Sequence, residues 1–278
     1  MKQQRFFVGP VTAAALAVQL YFFVSPHEFV LAAPSAAPAE EANRVLSPKV
    51  LLAEAERARV EGRYLEAKPL YQQLLQQAPP AEVAAAVQKG LSEVNIKLIF
   101  SSVLGPNSET YVIVKGDTLS KIAKKNRTTV ELLKVSNGLT GDRIRVSQRL
   151  KVSKSKFNVV VDKSQNTLTL KDGEEVLKVY RCATGREGIT PVGNFKIANR
   201  IVDPPWYSPN GLIPSGDPRN QLGSRWLGFD TPGYGIHGTT DPDSIGKPVT
   251  HGCVRLTNGD VEELFVMLPE GSPVSIVE

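Results

Sequence analysis

The chain has 278 residues, enough for two or three modest domains, and its 41% hydrophobic content is ordinary for globular protein. Its net charge is +5, with a pI of about 9.1. This mild excess suits attraction to an anionic polymer or a membrane surface, and because lysine and arginine form no block, the sequence does not indicate binding of nucleic acid. Two cysteines, Cys182 and Cys253, are too few for a disulfide framework.

Residues 1–31 have the pattern of an export signal. Lys2 and Arg5 precede an apolar run from Phe6 to Val24, and small residues near Ala37 and Ala39 fit a cleavage site. The run is also close to the length of about 20 residues that spans a bilayer, so an uncleaved membrane anchor is an equal interpretation. A buried helix of a cytosolic domain is the weaker alternative. We therefore expect an exported protein.

Residues 32–47 form an Ala/Pro-rich linker that cannot bury a core, and residues 48–100 are predicted to be helical. Gly62 separates two helices, Pro79 and Pro80 end the second, and a third runs from Ala81 to about Lys97. The apolar positions with helical spacing are Leu51, Leu52, Ala55 and Ala58, then Ala67, Leu70, Tyr71, Leu74 and Leu75. The pattern resembles a single tetratricopeptide unit closed by the third helix. A spacer is favoured over a protein-binding or self-association module.

Residues 109–153 are predicted to fold as strand, helix, helix and strand. Tyr111–Val114 and Arg149–Val152 read as strands, and Asp117 is expected to cap the first helix. Thr128 and Glu131 would form a capping box for the second helix, which ends at Asn137-Gly138.

The segment Y-V-I-V-K-G-D-T-L-S-K-I-A at 111–123 and the residues that follow resemble a LysM module. That family binds N-acetylglucosamine-containing glycans in a shallow groove, largely through backbone groups. The resemblance places the groove at two segments, 116–119 and 137–140. The candidate contact residues are Gly116, Asp117, Thr118, Leu119, Asn137, Gly138 and Leu139. Helix capping alone is the alternative role for the side chains of Asp117 and Asn137.

From residue 157 the pattern becomes β. Asn158–Asp162 and Thr167–Leu170 alternate apolar and polar residues, and a turn at 171–173 leads to a strand over Val176–Cys182. Near the C-terminus, Asn258 is expected to cap one helix. The buried face of that helix would carry Val261, Leu264, Phe265 and Leu268, and Pro269 follows its end.

Residues 236–256 read I-H-G-T-T-D-P-D-S-I-G-K-P-V-T-H-G-C-V-R-L, with Cys253 lying 16 positions after His237. A thiol becomes a strong nucleophile when a nearby imidazole takes its proton. This segment, with T-G-R-E-G-I-T-P-V-G-N-F-K-I at 184–197, D-P-P-W at 203–206 and L-G-S-R-W-L at 222–227, resembles the L,D-transpeptidases. These are cysteine enzymes with a YkuD-type domain that remodel peptidoglycan. The resemblance covers about residues 157–278 and implies an antiparallel β-sandwich, so the expected fold class is multidomain: this mainly β catalytic domain, a small βααβ LysM module and an α-helical N-terminal region.

The resemblance implies a role for each matching residue. Cys253 would be the nucleophile and His237 the general base, with the backbone carbonyl of Gly238 orienting the imidazole. Backbone N–H groups around Gly252 and Cys253 would form the oxyanion hole. Arg255, on the same strand face as Cys253, would hold a substrate carboxylate or carbonyl.

Other residues are expected to line the substrate pocket, namely His251, Thr250, Tyr234 and Trp206. His251 is also a second candidate base. The alternative role of Arg255 is a surface ion pair, and the alternative for Trp206 is a position in the core. Cys182 is expected to be structural, and a disulfide with Cys253 would consume the nucleophile. No cofactor or metal is expected, although His237, His251 and Cys253 are three ligand types that zinc accepts.

The implied reaction is attack of Cys253 on the bond between the third residue and D-alanine of a peptidoglycan tetrapeptide stem, followed by transfer to an amine. With water as acceptor, the same site would be an L,D-carboxypeptidase. A non-catalytic wall-binding protein is the other alternative, against which the intact histidine and cysteine argue. Papain-like wall endopeptidases place cysteine before histidine, and sortases lack the compact H-G…H-G-C-V-R cluster. The expected partners are stem peptides and glycan strands.

Overall fold

The computed structural model describes residues 47–208 and 211–278. The apolar run at Phe6–Val24, with its interpretation as an export signal or anchor, lies outside these residues. Within them, no helix has the length and apolar character that a membrane crossing requires.

Three helices open the described region: α1 (Pro48–Val60), α2 (Tyr64–Gln76) and α3 (Ala81–Phe100). They confirm the three predicted helices, and Gly62 makes the first turn with a φ of +77°. Their shared core consists of Leu51, Ala55, Ala58, Ala67, Tyr71, Leu74, Val87, Val94 and Leu98. Gly90 of α3 faces the Tyr71 ring so closely that a Cβ there would lie 2.5 Å from it. The third helix therefore closes the helix pair, and the likeness to a tetratricopeptide unit stays a prediction.

The LysM region consists of β1 (Ser108–Val112), α4 (Leu119–Asn126), α5 (Val130–Ser136) and β2 (Arg149–Ser153), with β1 and β2 antiparallel. The predicted order of elements is confirmed, but both predicted helix caps are wrong by one residue. Thr118 caps α4 and Thr129 caps α5, each accepting a hydrogen bond from a backbone N–H three residues later. Asp117 instead accepts from the Tyr111 hydroxyl at 3.0 Å and the Val114 N–H at 2.9 Å, which braces the loop before α4.

The C-terminal region is built on one mixed sheet. Its strands in chain order are β3 (Phe157–Asp162), β4 (Thr167–Asp172), β5 (Glu175–Arg181), β7 (Gly193–Val202), β10 (Arg225–Phe229), β11 (Gly235–His237), β13 (Val254–Arg255) and β14 (Pro273–Val277). The shorter strands β6 (Thr184–Gly185) and β12 (Pro248–Thr250) pair with each other, and β8 (Trp206–Ser208) with β9 (Gly211–Ile213).

The strand order in the main sheet is β13-β11-β10-β7-β14-β3-β4-β5. Five neighbouring pairs are antiparallel, and two, β11 with β13 and β14 with β3, are parallel. The expectation of a mainly antiparallel fold is therefore confirmed, whereas the expected sandwich is wrong: one curled, half-barrel sheet replaces two stacked sheets. A helix, α6 (Asn258–Met267), supplies Val261, Leu264 and Phe265 to the core that this sheet surrounds.

Hydrogen bonds hold α3 against its neighbours. Lys151 of β2 is only 7% exposed, and its Nζ donates to the carbonyl oxygens of Leu98 at 2.6 Å and Ser101 at 2.8 Å. Burial lowers the pKa of this lysine to about 8. Asn95 donates from Nδ2 to the Leu177 carbonyl of β5 at 3.1 Å. The end of α3 is thereby tied both to the LysM region and to the main sheet.

A second set of contacts joins the LysM region to α6. Thr129 donates from its hydroxyl to the Val266 carbonyl, and Glu131 pairs with Arg200 at 3.2 Å. The Arg200 guanidinium lies 4.0 Å from the centre of the Phe265 ring. Glu131 therefore serves this junction and not the capping box predicted for it.

Candidate active site

Three neighbouring strands carry three residues of the candidate site in one row. Trp226 of β10 pairs with His237 of β11, which pairs with Arg255 of β13. The intervening positions, Leu227, Ile236 and Val254, belong to the core. Because side chains alternate between the faces of a sheet, Trp226, His237 and Arg255 share the face directed away from that core.

His237 is held by its own strand end. It is 4% exposed, and its Nδ1 lies 2.6 Å from the carbonyl oxygen of Gly238, the contact that the resemblance implies. A carbonyl only accepts, so Nδ1 carries the proton and Nε2 of the neutral ring is an acceptor. Burial, assisted by the positive charge of Arg255, lowers the pKa of His237 to about 4. The imidazole is therefore neutral near pH 7 and able to take a proton at Nε2.

Cys253 lies diagonally to His237. The register of the parallel pair, Ile236 with Val254, places Cys253 beside Gly235 and on the face of His237. Its Sγ donates to the carbonyl oxygen of Gly233 at 3.4 Å and is partly exposed. Burial raises the pKa of this thiol to about 11, although the Gly235 backbone and Arg255 act in the opposite direction. The resting site thus contains a neutral thiol and a neutral imidazole.

A tight turn precedes the cysteine. The Thr250 hydroxyl donates to the Cys253 carbonyl at 2.6 Å and accepts the Gly252 N–H at 3.2 Å. Gly252 has a φ of +116° and lies against the Tyr234 ring, so a side chain there would be both strained and crowded. Thr250 is 2% exposed, and both of these hydrogen bonds of its hydroxyl lie within the turn. Among the described residues, the Cys253 N–H has no acceptor, which leaves it free to donate to a bound oxygen atom.

Arg255 ends the row on β13, and its guanidinium is largely engaged. Its Nη1 donates to the Ser244 hydroxyl at 3.0 Å, its Nη2 to Oε1 of Gln221 at 3.3 Å, and Asp241 lies 4.0 Å away. Burial lowers the pKa of this guanidinium from its ordinary value. Its buried Nε has no partner among the described residues. This placement favours a buried positive charge beside the cysteine over the surface ion pair that was the alternative.

The remaining pocket candidates occupy different positions. His251 is exposed, and its Nε2 meets the guanidinium of Arg186, so this ring faces a cation. Tyr234 packs against Gly252 at the base of the turn. Trp206 lies half-buried on the β8–β9 hairpin, paired with Ile213.

Two residues beside His237 were missed by sequence reasoning. Trp226, in the quoted R-W-L segment, stacks on the imidazole with ring centroids 6.1 Å apart. Asn258 was predicted to cap α6, but Thr257 is the cap. Asn258 instead accepts at Oδ1 from the backbone N–H groups of Ser224 at 3.1 Å and Thr239 at 3.0 Å. The alternation of the R-W-L strand was the available signal for Trp226.

The LysM candidates divide into buried and open positions. Asn137 uses its side chain inside the fold, donating to Leu133 and Lys151 carbonyls and accepting the Lys151 N–H at 2.7 Å. Leu119 is buried and Leu139 packs against the LysM core. The exposed positions are Gly116, Thr118 and Gly138. Recognition there would use backbone groups, with Asp117 and Asn137 in bracing roles.

The two cysteines are free thiols in different environments. Cys182 is fully buried in the core, which raises its pKa to about 12 and makes it unreactive. Across the described ranges, no three His, Cys, Asp or Glu side chains gather in a group that could hold a metal ion.

Two family models match the chain. One, the L,D-transpeptidase catalytic domain, matches residues 156–276, and the other, the LysM domain, matches residues 111–153. Among solved structures, the chain is similar to L,D-transpeptidase 3 from Mycobacterium tuberculosis, with 21% identity and a TM-score of 0.39 over 48% of this chain and 66% of that one. It is also similar to the catalytic domain of the Enterococcus faecium L,D-transpeptidase, with 23% identity and a TM-score of 0.36 over 44% of this chain and 98% of that one.

Two relatives whose names assign them to the L,D-transpeptidases are closer in sequence. YkuD of Bacillus licheniformis is 35% identical over 174 residues, which are 60% of this chain and 97% of the relative. YqjB of Bacillus subtilis is 40% identical over 126 residues, 43% of this chain and 70% of the relative. The chain therefore belongs to the L,D-transpeptidase family, cysteine enzymes that act on peptidoglycan.

Proposed function

We propose that the protein is a cysteine L,D-transpeptidase that cleaves the bond between the diamino acid and D-alanine of a tetrapeptide stem and transfers the acyl group to an amine. The observation that supports this most directly is the shared sheet face of Cys253 and His237, with Nε2 of the imidazole free to accept a proton. Family membership supplies peptidoglycan as the substrate class.

In the first step, Cys253 rotates its Sγ away from the Gly233 carbonyl, and Nε2 of His237 takes the thiol proton. The sulfur attacks the carbonyl carbon of the third stem residue. The negative charge on the carbonyl oxygen is stabilised by the free Cys253 N–H. The C–N bond then breaks, the proton on Nε2 passes to the departing D-alanine nitrogen, and a thioester remains.

In the second step, an amine from a neighbouring stem or from a wall-anchored protein loses a proton to His237 and attacks the thioester. The new amide forms, and the Cys253 sulfur leaves and regains its proton. Water in place of the amine would give a tripeptide, so the carboxypeptidase reaction differs only in the acceptor.

The other parts of the chain would support this reaction by placing the catalytic domain near its substrate. The LysM region, by holding a glycan strand, would raise the local concentration of stems around Cys253. Export to the periplasm or cell envelope, with residues 1–31 as signal or anchor, remains part of the proposal because peptidoglycan lies outside the cytoplasm. The helices α1–α3 are proposed as a spacer, with a protein partner as the alternative.

The test incubates the purified protein with disaccharide-tetrapeptide muropeptides and identifies the products by mass spectrometry, with Cys253→Ala as the control. We expect Cys253-dependent release of D-alanine, with crosslinked dimers for transpeptidation or tripeptides for carboxypeptidation. Release that persists in the control would exclude Cys253 as nucleophile. An unchanged substrate with retained glycan binding would favour a non-catalytic wall-binding protein.

A second assay needs no acceptor. The resemblance implies acylation by carbapenems, so intact mass after incubation with a carbapenem should show one adduct that Cys253→Ala abolishes. No adduct at a high concentration of the drug would contradict the proposed nucleophile.

A further inference from the structure

We propose that Trp226 is a positioning residue for His237: its indole covers one face of the imidazole, holds the plane of that ring and keeps water from it. The catalytic consequence rests on the proposed function, whereas the effect on the imidazole itself does not.

The first argument is the register of the sheet. Trp226 and His237 are directly opposite each other on β10 and β11, on the face turned away from the core. Their rings are 6.1 Å apart between centroids and inclined by 20°, which is an offset stack. A directly opposed cross-strand pair has its Cβ atoms about 5 Å apart, so the backbone itself keeps this contact in place.

The second argument is the space that the neighbouring row provides. That row holds Asn199 of β7, Gly228 of β10 and Gly235 of β11. A Cβ at Gly228 would lie 2.5 Å from Nε1 of Trp226, and one at Gly235 would lie 2.8 Å from its Cζ2. A cross-strand pair of glycines therefore accommodates the indole, which a tryptophan directed into solvent would not require.

The third argument is the anchoring of the indole. Its Nε1–H donates to Oδ1 of Asn199 at 3.0 Å, on the side remote from His237. This bond anchors the indole at Nε1, and the glycine pair leaves the space in which the ring lies. The ring is only half-buried, so Trp226 is not a core residue. The register, the glycine pair and the bond to Asn199 all favour its position against the imidazole.

The charges around His237 are few. Arg255 flanks it on β13, with Asp241 4.0 Å from that guanidinium, and the neutral thiol of Cys253 lies diagonally across. Burial is the largest cause of the lowered pKa of His237, and the charge of Arg255 a smaller one. Because Trp226 forms one wall of this burial, its removal should admit water and make the imidazole more basic.

The experiment follows the imidazole by proton NMR during a pH titration of the full chain. The protein has three histidines, and the signal lost in His237→Gln identifies the relevant one. In Trp226→Leu the pKa of His237 should rise from about 4 by roughly one unit or more, toward the ordinary value of about 6.5. Trp226→Phe, which keeps a ring but loses the bond to Asn199, should shift it less, and Asn199→Ala least.

The matched control is Tyr207→Leu, the same exchange at a ring that is 79% exposed on the β8–β9 hairpin, and it should leave this pKa unchanged. An unchanged pKa in both Trp226→Leu and Trp226→Phe, or an equal shift in the control, would overturn the proposal. If Trp226→Leu fails to fold, Trp226→Phe and Asn199→Ala still decide it.

Two rates then separate positioning from general damage. In Trp226→Leu, D-alanine release should fall at least about tenfold, since a displaced base costs that order in rate. Alkylation of Cys253 by iodoacetamide should not fall, because a more basic imidazole favours the thiolate. A parallel loss of both rates would contradict positioning. If the protein releases no D-alanine at all, the proposed function fails, but the change in the pKa of His237 still tests whether Trp226 covers the imidazole.

Discussion

The contact of Asn258 with two loops leads to a prediction that stability measurements can decide. Its Oδ1 accepts the backbone N–H groups of Ser224 at 3.1 Å and Thr239 at 3.0 Å. Thr239 follows Gly238, whose carbonyl holds the His237 ring. The side chain therefore ties the segment that orients the imidazole to the loop before β10.

Asn258→Ala removes this acceptor from two partly buried donors. Each buried donor without a partner costs about 1–3 kcal/mol, and because water reaches part of this site we expect the low end, about 2–3 kcal/mol in total. Alanine is also the better helix former, so propensity in the first turn of α6 would act in the opposite direction. Asn258→Asp keeps an acceptor oxygen and places a negative charge at the start of a helix, so it should cost under about 1 kcal/mol.

The assay is urea unfolding followed by tryptophan fluorescence, with D-alanine release measured on the folded proteins. The midpoint for Asn258→Ala should fall without a change in slope, and its activity should fall more than that of Asn258→Asp. If the alanine variant unfolds at the wild-type urea concentration, or if the aspartate variant loses as much stability, the hydrogen bonds do not have the role given to them.

Three further predictions concern packing and titration. Gly90→Ala should destabilise the protein by about 1–3 kcal/mol because its Cβ would overlap the Tyr71 ring. Gly259→Ala is the control and should leave the stability unchanged, since a Cβ there meets no atom within 4 Å. Thermal unfolding of the two variants tests this. The pKa of His237 is lowered to about 4 in the folded protein, so as the pH falls the unfolded chain binds a proton at this residue first. The free energy of unfolding should therefore decrease by up to about 3 kcal/mol between about pH 6.5 and pH 4, except in His237→Gln. Unfolding midpoints of the wild type that stay constant over a pH series would contradict this. The pKa of the Cys253 thiol is raised to about 11, so its thiolate absorbance at 240 nm should appear only near that pH. If the absorbance of the wild type already exceeds that of Cys253→Ala at pH 8, the prediction is wrong.

Local patterns were sufficient for most elements of the fold. The three N-terminal helices, the order of the LysM elements and α6 with its buried Val261, Leu264 and Phe265 all follow from the spacing of apolar residues and from glycine and proline positions. The sequence could not predict which threonine caps α5, because Thr128 and Thr129 are adjacent. Only the path of the chain decides which of them meets the free N–H group.

The sheet was beyond such patterns. Strand alternation does not say which strands pair, so the parallel pairs β11 with β13 and β14 with β3, and the single curled sheet, came only with the tertiary structure. The same holds for Trp226, whose contact with His237 depends on the register of the two strands β10 and β11.

The sequence by itself determined the chemical groups of this protein: a histidine and a cysteine between glycines, the matching family, and the modules in their order. The tertiary structure decided what those groups are at rest. His237 and Cys253 are both neutral because burial penalises their charged forms, and the groups around the imidazole, Trp226 and Asn258, come from other elements, β10 and α6. Burial and cross-strand contact depend on how distant segments pack, and residue spacing along the chain carries no direct measure of either.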